Sequence, residues 1–110
     1  MDIKTFITNW IEVGNSYNTE KYLDFFLDDA VLDDPSVGRI FVGYDGISEY
    51  YTSYFIGYET QTELMKIDIK ENSTYVEVEF TGKFPEGKIG GSFELNFSNE
   101  KIASIKADLI

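Results

Sequence analysis

The chain has 110 residues, with 20 acidic and 9 basic side chains, so its formal net charge is −11 at pH 7. This excess of acids argues against binding to nucleic acid or to an anionic membrane surface, because both need clustered lysine and arginine. The sequence has no cysteine and no histidine, which excludes disulfides, thiol nucleophiles, histidine-based triads and the usual zinc sites. Any proton transfer must therefore use Asp, Glu, Tyr or Lys.

The length predicts one domain over residues 1–110. Hydrophobic residues make up 43% of the chain and aromatic residues 16%, which is enough material for one packed core. The segment Met1–Lys4 has no basic region followed by an apolar run, so it does not resemble a secretory signal. No apolar stretch approaches the roughly 20 residues of a membrane span. We therefore expect a cytoplasmic protein that does not bind membranes.

Apolar residues at helical spacing predict two helices at the start of the chain. The first carries the stripe from Ile3 to Ile11 and ends near Gly14-Asn15. A second helix follows a cap at Asn18 or Thr19 and carries the apolar run from Tyr22 to Leu27. We expect this second helix to end at Asp28-Asp29 and to be substantially buried.

A short hairpin and a third helix are predicted next. Ala30–Leu32 and Arg39–Val42 are typical of short strands, and they can pair across Pro35–Gly38 because a proline stops regular structure. Asp45 is the candidate cap of the third helix. Its apolar and aromatic residues at helical spacing are Ile47, Tyr50, Tyr51, Tyr54 and Phe55.

The second half of the chain changes to a period of two residues. Four segments alternate apolar with polar side chains, and turn-like residues join them, so we predict four successive antiparallel strands. Gly90-Gly91 predicts a bulge or a strong bend in the third of these strands. Helices that cover the apolar face of this sheet give an α+β two-layer fold. The apolar faces are Met65, Ile67 and Ile69; Val76, Val78 and Phe80; Phe93, Leu95 and Phe97; and Ile105, Ala107 and Leu109.

The run Phe26-Leu27-Asp28-Asp29-Ala30-Val31-Leu32-Asp33-Asp34-Pro35 resembles the nuclear transport factor 2-like superfamily. Within it the sequence is most similar to SnoaL-like proteins and to the ketosteroid isomerases (steroid delta-isomerases). The likeness runs without a gap from Trp10 to Tyr51, whereas the later strands match only in kind and order. It implies a cystatin-like cone, in which N-terminal helices pack on a curved antiparallel four-stranded sheet plus the short hairpin. It also implies a ligand pocket at the open end and a homodimer formed through the sheet.

Asp34 lies where the isomerases carry their general base, so the resemblance implies a proton-accepting carboxylate that faces the pocket. The alternative is that Asp34 accepts backbone N–H groups in the turn before Pro35. Trp10 stands at the position of the isomerases' oxyanion tyrosine, and Phe93 stands near their second acidic donor. Because an indole cannot ionise and a phenyl ring donates nothing, we expect no steroid isomerase activity.

Candidate ligand contacts are aromatic, although ordinary core packing is the alternative for the tyrosines. Arg39, the only arginine, can pair with Asp33 or Asp34, bind a ligand carboxylate or form a surface ion pair. The acids from Asp28 to Asp34 lack the spacing of a calcium loop, so we expect no metal site and no cofactor. The candidate contacts are Trp10, Tyr17, Tyr22, Phe26, Tyr50, Tyr51, Tyr54 and Phe93.

Two functions are consistent with this sequence. The first is a pocket protein that binds a small, largely apolar molecule, with isomerase, cyclase or hydratase chemistry through Asp34. The second is a non-catalytic ligand-sensing or dimerisation module of the same fold, with its cavity filled by its own aromatic side chains.

Overall fold

The computed structural model describes the whole chain from Met1 to Ile110 and contains three α-helices, one π-helical turn and one six-stranded sheet. None of these helices combines the length and the apolar character that a membrane crossing needs. The helices are α1 (Ile3–Gly14), α2 (Thr19–Leu23) and α3 (Gly43–Tyr51), and α3 continues into the π-helical turn Thr52–Ile56. The strands are β1 (Phe26–Asp34), β2 (Arg39–Val42), β3 (Gln61–Ile69), β4 (Thr74–Thr81), β5 (Lys88–Ser98) and β6 (Lys101–Leu109).

Side-chain caps explain where the first two helices begin. Asp2 accepts a hydrogen bond from the Thr5 N–H at the start of α1, and Asn18 accepts one from the Lys21 N–H at the start of α2. The predicted cap at Asp45 is wrong, because the residue before α3 is Val42 and Asp45 lies within the first turn. Its carboxylate there still favours the helix through the dipole.

Helix α2 ends at Leu23, so the prediction of a helix through Leu27 is wrong. Phe26 instead begins strand β1, where it pairs with Ile102, and the Ile102 N–H donates a 2.8 Å hydrogen bond to the Phe25 carbonyl. The apolar run at this point therefore belongs to the sheet. Tertiary pairing with a distant strand overrides the local helical preference of the run.

The strands lie in the order β2-β1-β6-β5-β4-β3, and the predicted α+β architecture with a curved sheet is confirmed. The six strands make five neighbouring pairs, of which four are antiparallel, and β1 pairs antiparallel with β2 as predicted for the hairpin. The β1–β6 pair is parallel, with Leu32 beside Ile105. Through this pair the hairpin becomes part of the same sheet as the four later strands, a connection that alternation of side chains does not reveal.

Two details of the sheet differ from the sequence-based expectation. The register of β3 against β4 shifts between Leu64 and Lys66, so Met65 is 58% exposed and does not share the inner face with Ile67. Gly91 and Gly90 pair with Val78 and Glu79 without interruption, so the predicted bulge there is wrong. A Cβ added at Gly91 would overlap Cε2 of Phe80, so the glycine makes room for that ring.

The core lies between the helices and the inner face of the sheet and is filled largely by aromatic rings. Tyr22 stacks on Tyr51, with ring centroids 4.0 Å apart, and Trp10 meets Phe93 edge to face at 5.0 Å. These rings fill the interior near α1 and α2. The larger opening lies at the other side of the core, where β1 ends at Asp34.

Candidate functional site

Asp34, the last residue of β1, points to the inner side of the sheet and is 5% exposed. Its Oδ1 accepts hydrogen bonds from the backbone N–H and the hydroxyl of Ser36, at 2.9 and 2.5 Å. Its Oδ2 accepts one from the Tyr50 hydroxyl at 3.1 Å. The turn alternative from the sequence is therefore realised through Oδ1, whereas the role of Asp34 as a proton acceptor stays a prediction.

The local sequence explains why this carboxylate turns inward. Pro35 ends the strand, and the Asp34 side chain then accepts the N–H two residues on, as in an Asx turn. The Val37 N–H donates to the Asp34 carbonyl and the Gly38 N–H to that of Pro35, which closes the hairpin. Gly38 has φ of 70°, a conformation that favours glycine.

A cavity of about 310 Å³ lies beside Asp34. Nine of its 14 lining residues are hydrophobic, so the carboxylate faces a mostly apolar space. The polar lining residues besides the tyrosines are Asp34, Ser36, Thr60 and Glu86. The aromatic lining residues are Tyr50, Tyr54, Phe55, Tyr58, Phe80 and Phe84, and the remainder are Val37, Pro85, Ile89 and Leu109.

The π-helical turn after α3 brings two consecutive side chains, Tyr54 and Phe55, to the cavity. Its geometry is visible in the Gly57 N–H, which donates to the Thr52 carbonyl five residues earlier at 2.9 Å. A Cβ at Gly57 would lie 2.5 Å from the Ser53 carbonyl oxygen, so only glycine closes the turn in this way. Turns of this kind are frequent at functional sites.

The loop between β4 and β5 forms one side of the cavity mouth. Phe84 on this loop packs edge to face on Tyr58, with ring centroids 6.3 Å apart. The Lys83 N–H donates a 2.6 Å hydrogen bond to the Tyr58 carbonyl. The loop is thus fastened to the segment that follows the π-helical turn, and the two segments together carry the aromatic rim.

The charge distribution around Asp34 is one-sided. Burial and the neighbouring Asp34 carboxylate raise the pKa of Tyr50 well above its usual value, so Tyr50 remains protonated and donates. No lysine or arginine lines the cavity. Arg39 instead forms a bidentate pair with Glu49 at 3.0 Å and lies over the Phe41 ring, so of the alternatives for Arg39 the surface ion pair is realised.

Three of the predicted site residues, Asp34, Tyr50 and Tyr54, line the cavity together. Trp10, Tyr22 and Phe93 surround a separate space of about 10 Å³, which is the size of a single water. The indole N–H of Trp10 has no protein hydrogen-bond partner there. Burial raises the pKa of Tyr22 far above its usual value.

The other three predicted contacts lie outside the cavity as well. The Tyr51 hydroxyl donates to the Gly14 carbonyl at 2.9 Å, and the Tyr17 hydroxyl donates to the Thr60 carbonyl at 3.0 Å. Phe26 is fully buried in the core against Tyr22. These side chains support the helices that carry the cavity wall, and their role as ligand contacts stays a prediction.

Sequence reasoning missed several lining residues, among them Ser36, Tyr58, Phe80 and Phe84. The signal for Ser36 was present, since the residue directly after an Asp-Pro step lies two residues on from the Asp and is well placed for an Asx turn. Phe84 lies on a loop, where no periodicity indicates the direction of a side chain. Its position depends on the contact with Tyr58.

The arrangement can accept a proton from a bound molecule. A carboxylate oxygen accepts two hydrogen bonds, and Oδ2 of Asp34 accepts only one within the protein, so one acceptor position remains. Tyr54 and Tyr58 line the same cavity, and their hydroxyls donate to no protein atom. The cavity therefore combines one free acceptor position with two tyrosines whose hydroxyls have no partner in the protein.

No protein-family model and no curated protein matches the sequence. Solved structures with the same fold include a candidate polyketide cyclase of Sinorhizobium meliloti, with 16% identity, a TM-score of 0.85 and coverage of 94% of this chain and 93% of that one. A candidate ketosteroid isomerase of Kribbella flavida has 12% identity, a TM-score of 0.83 and coverage of 96% and 76%.

The epoxide hydrolase/cyclase-like enzyme SalBIII, which has a role in pyran ring formation in the polyether salinomycin, is also similar. It has 17% identity, a TM-score of 0.84 and coverage of 97% of this chain and 89% of that one. The chain therefore has the nuclear transport factor 2-like fold, and the predicted resemblance is confirmed at the level of the fold. At these identities the comparisons describe architecture and not activity.

Proposed function

We propose that the protein binds a small, largely apolar molecule in the cavity and that Asp34 accepts a proton from it. The observation that carries this proposal is the burial of the Asp34 carboxylate, which is only 5% exposed and yet lines the 310 Å³ cavity. A carboxylate held by neutral donors in an apolar space is suited to general base catalysis. The reaction would be an isomerisation, a cyclisation or a hydration.

The roles of the cavity residues follow from their contacts. Ser36 and Tyr50 hold the carboxylate in place, and the spare position on Oδ2 takes the proton. Hydrogen bonds from Tyr54 and Tyr58 to an oxygen of the bound molecule would stabilise charge that develops there. The similar structures include a candidate polyketide cyclase, a candidate ketosteroid isomerase and an epoxide hydrolase/cyclase-like enzyme, which supports isomerisation or cyclisation among these reactions.

Steroid isomerisation is not part of the proposal. Trp10 and Phe93 lie beside the small second space, on the other side of Phe55 from the main cavity. Loss of one oxyanion donor raises a reaction barrier by about 2.7–4 kcal/mol in enzymes where this has been measured. In the main cavity any donors to a developing oxyanion would instead be Tyr54 and Tyr58.

Deuterium exchange tests the proposed base directly. Small cyclic ketones are incubated with the protein in D₂O, and loss of the proton next to the carbonyl is followed by NMR. We expect the unmodified protein to accelerate exchange for at least one ketone by about 10²-fold or more over Asp34→Asn, because a positioned base contributes that much. Glu12→Gln, which removes an exposed carboxylate on α1, is the matched control and should exchange at the original rate.

Equal rates for the unmodified protein and Asp34→Asn would remove Asp34 from the chemistry. Circular dichroism of both proteins shows whether the substitution preserved the fold. Saturation-transfer NMR with the same ketones separates binding from turnover, since binding without exchange favours the non-catalytic module.

A second candidate function, self-association, is favoured by one surface. Ile40 and Val42 on β2 are each 60% exposed, and Val31 on β1 lies directly opposite Val42. All three point to the outer face of the sheet and form an apolar corner at its edge. Sedimentation tests this function: the unmodified protein should sediment as a dimer, and Ile40→Lys should sediment as a monomer. An unmodified protein that sediments as a monomer would contradict self-association.

A further inference from the structure

We infer that the cavity selects an organic cation, namely a small alkyl-substituted ammonium ion with an apolar body. This inference rests on the proposed binding of a small molecule in the same cavity and names the class of that molecule. Three observations carry it: the charges on the lining, the partners of Asp34 and the rings that surround them.

The charged groups that line the cavity are all carboxylates. Asp34 lies at its inner wall and Glu86 at its mouth, and no lysine or arginine accompanies them. An anionic ligand would therefore be repelled by both groups, and a neutral one would gain no charge attraction from them. A positively charged ligand is attracted by both, and more strongly than in water because the cavity is largely apolar.

Asp34 has no cation within the protein. Its three hydrogen bonds come from the Ser36 N–H, the Ser36 hydroxyl and the Tyr50 hydroxyl, all of which are neutral groups. A buried carboxylate without a counter-ion is costly, so a cation that binds beside it contributes favourable energy. The basic residues that flank Asp34 and Glu86 in the sequence form ion pairs with other carboxylates. The ion pairs are Arg39–Glu49, Lys83–Glu59 and Lys88–Glu79.

The remaining wall is rich in aromatic faces. Six rings line the cavity, and three of them, Tyr50, Tyr54 and Phe55, lie on α3 and the π-helical turn that continues it. The negative face of an aromatic ring attracts a cation, and alkylated ammonium ions are favoured because they lose little hydration on entering such a cage. The Asp34 carboxylate and the aromatic rings together therefore fit a cation with apolar substituents better than they fit a metal ion or a neutral apolar molecule.

The charge of the whole molecule acts in the same direction. A net charge of −11 produces a field that concentrates small cations near the surface and raises their association rate. This effect weakens as salt is added. Cation binding should consequently depend on ionic strength, whereas the binding of a neutral molecule of the same shape should not.

A set of three probes with one shape and three charges tests the inference. Choline is the cation, neohexanol is its neutral carbon isostere and tert-butylacetate is the anion, and each is titrated into the unmodified protein in a calorimeter. We expect choline to bind at least about ten-fold more tightly than neohexanol, and tert-butylacetate to bind most weakly. Added salt should weaken choline binding and leave neohexanol binding unchanged.

Two pairs of variants locate the binding site. Glu86→Gln should weaken choline binding several-fold, whereas Glu12→Gln removes the same charge from α1, away from the cavity, and should have little effect. Tyr58→Leu removes an aromatic ring from the rim and should weaken choline binding more than neohexanol binding. Tyr44→Leu removes a similarly exposed ring of α3 that does not line the cavity, and it should leave choline binding unchanged.

Equal binding of choline and neohexanol, or tighter binding of tert-butylacetate, would overturn the inference and leave the proposed function standing. Choline binding that Glu86→Gln and Tyr58→Leu do not weaken would also overturn it, because the cation would then bind elsewhere. If no probe binds at millimolar concentrations the inference fails, and the deuterium-exchange measurement decides separately on the proposed function.

Discussion

The hydroxyl of Tyr50 donates a 3.1 Å hydrogen bond to Oδ2 of Asp34, and this bond joins helix α3 to the end of strand β1 inside the core. Both side chains are at least 95% buried, so neither finds enough water to replace the other. The bond therefore connects the stability of the fold with the position of the carboxylate.

Tyr50→Phe should destabilise the protein, because it leaves a buried carboxylate oxygen without its donor. We expect the free energy of unfolding to fall by about 1–3 kcal/mol, measured by urea denaturation. Tyr54→Phe is the matched control, since the Tyr54 hydroxyl donates to no protein atom and its loss should cost less than about 0.5 kcal/mol. Equal costs for the two variants would show that the bond contributes nothing to stability.

Gly91→Ala should be far more harmful than Gly90→Ala, although the two glycines are adjacent. A Cβ at Gly91 would overlap the Phe80 ring, whereas one at Gly90 would meet its nearest neighbour, Cβ of Ile110, at 3.6 Å. Overpacking of this kind costs about 1–3 kcal/mol, which urea denaturation resolves. If both variants unfold at the same urea concentration, the Phe80 ring does not depend on Gly91 for its space.

Asn15→Ala should loosen the edge of the sheet. The Asn15 side chain accepts a 2.7 Å hydrogen bond from the Thr62 N–H and donates a 2.9 Å hydrogen bond to the Thr62 carbonyl. It thus bonds the free edge of β3 in the way that a neighbouring strand would. Loss of both bonds should lower the free energy of unfolding by about 1–3 kcal/mol. Asn96→Ala removes one exposed bond to Ser104 and should cost less. Amide hydrogen exchange at Thr62 should quicken only in the Asn15 variant.

High pH should unfold the protein through its buried tyrosines. Burial raises the pKa of Tyr51 to about 12 and those of Tyr22 and Tyr50 well above the usual value. Below the unfolded-state pKa of about 10 both states keep these protons and stability is constant. Above it the unfolded state alone loses them, so stability falls with rising pH, by up to about 1.4 kcal/mol per pH unit for each tyrosine.

Urea denaturation between pH 8 and pH 12 checks this dependence, with phenolate absorbance as a second signal. Above about pH 10, Tyr50→Phe should make the free energy of unfolding fall less steeply with pH. The slope should lose up to the contribution of one proton, because one buried phenol is gone. A stability that stays level across this range would contradict the burial of the three tyrosines.

Much of the fold was predictable because its signals are local. The period of two residues around Val76, Phe93 and Ile105 predicts strands with one buried face, and those residues are buried in β4, β5 and β6. The first helix was equally clear from its stripe. The parallel β1–β6 pair was not predictable, because it joins segments far apart in sequence and leaves no mark on either one.

The site was predictable only in part, for the same reason. Asp34 was found through the resemblance to the isomerases, which the run ending in Asp34-Pro35 carries, and Tyr50 and Tyr54 were found through helical spacing. Trp10 and Phe93 carry equally strong aromatic signals but fill the core, since nothing in a sequence tells a ring in a cavity wall from a ring in a packed interior. Glu86 and Phe84 reach the cavity on a loop, where pattern has no meaning.

Strand β1 has β2 on one side and β6 on the other. During synthesis the helices and the hairpin leave the ribosome long before β6 does, so a nascent chain holds Asp34 on a strand with one open flank. Contacts of such long sequence separation form slowly, because a large loop must close first. Ser36 and Tyr50, which hold the Asp34 carboxylate, precede β6 in the chain, whereas Leu109 of β6 completes the cavity wall only once β6 has paired with β1. Substitutions in β6 will therefore alter how fast the complete cavity forms.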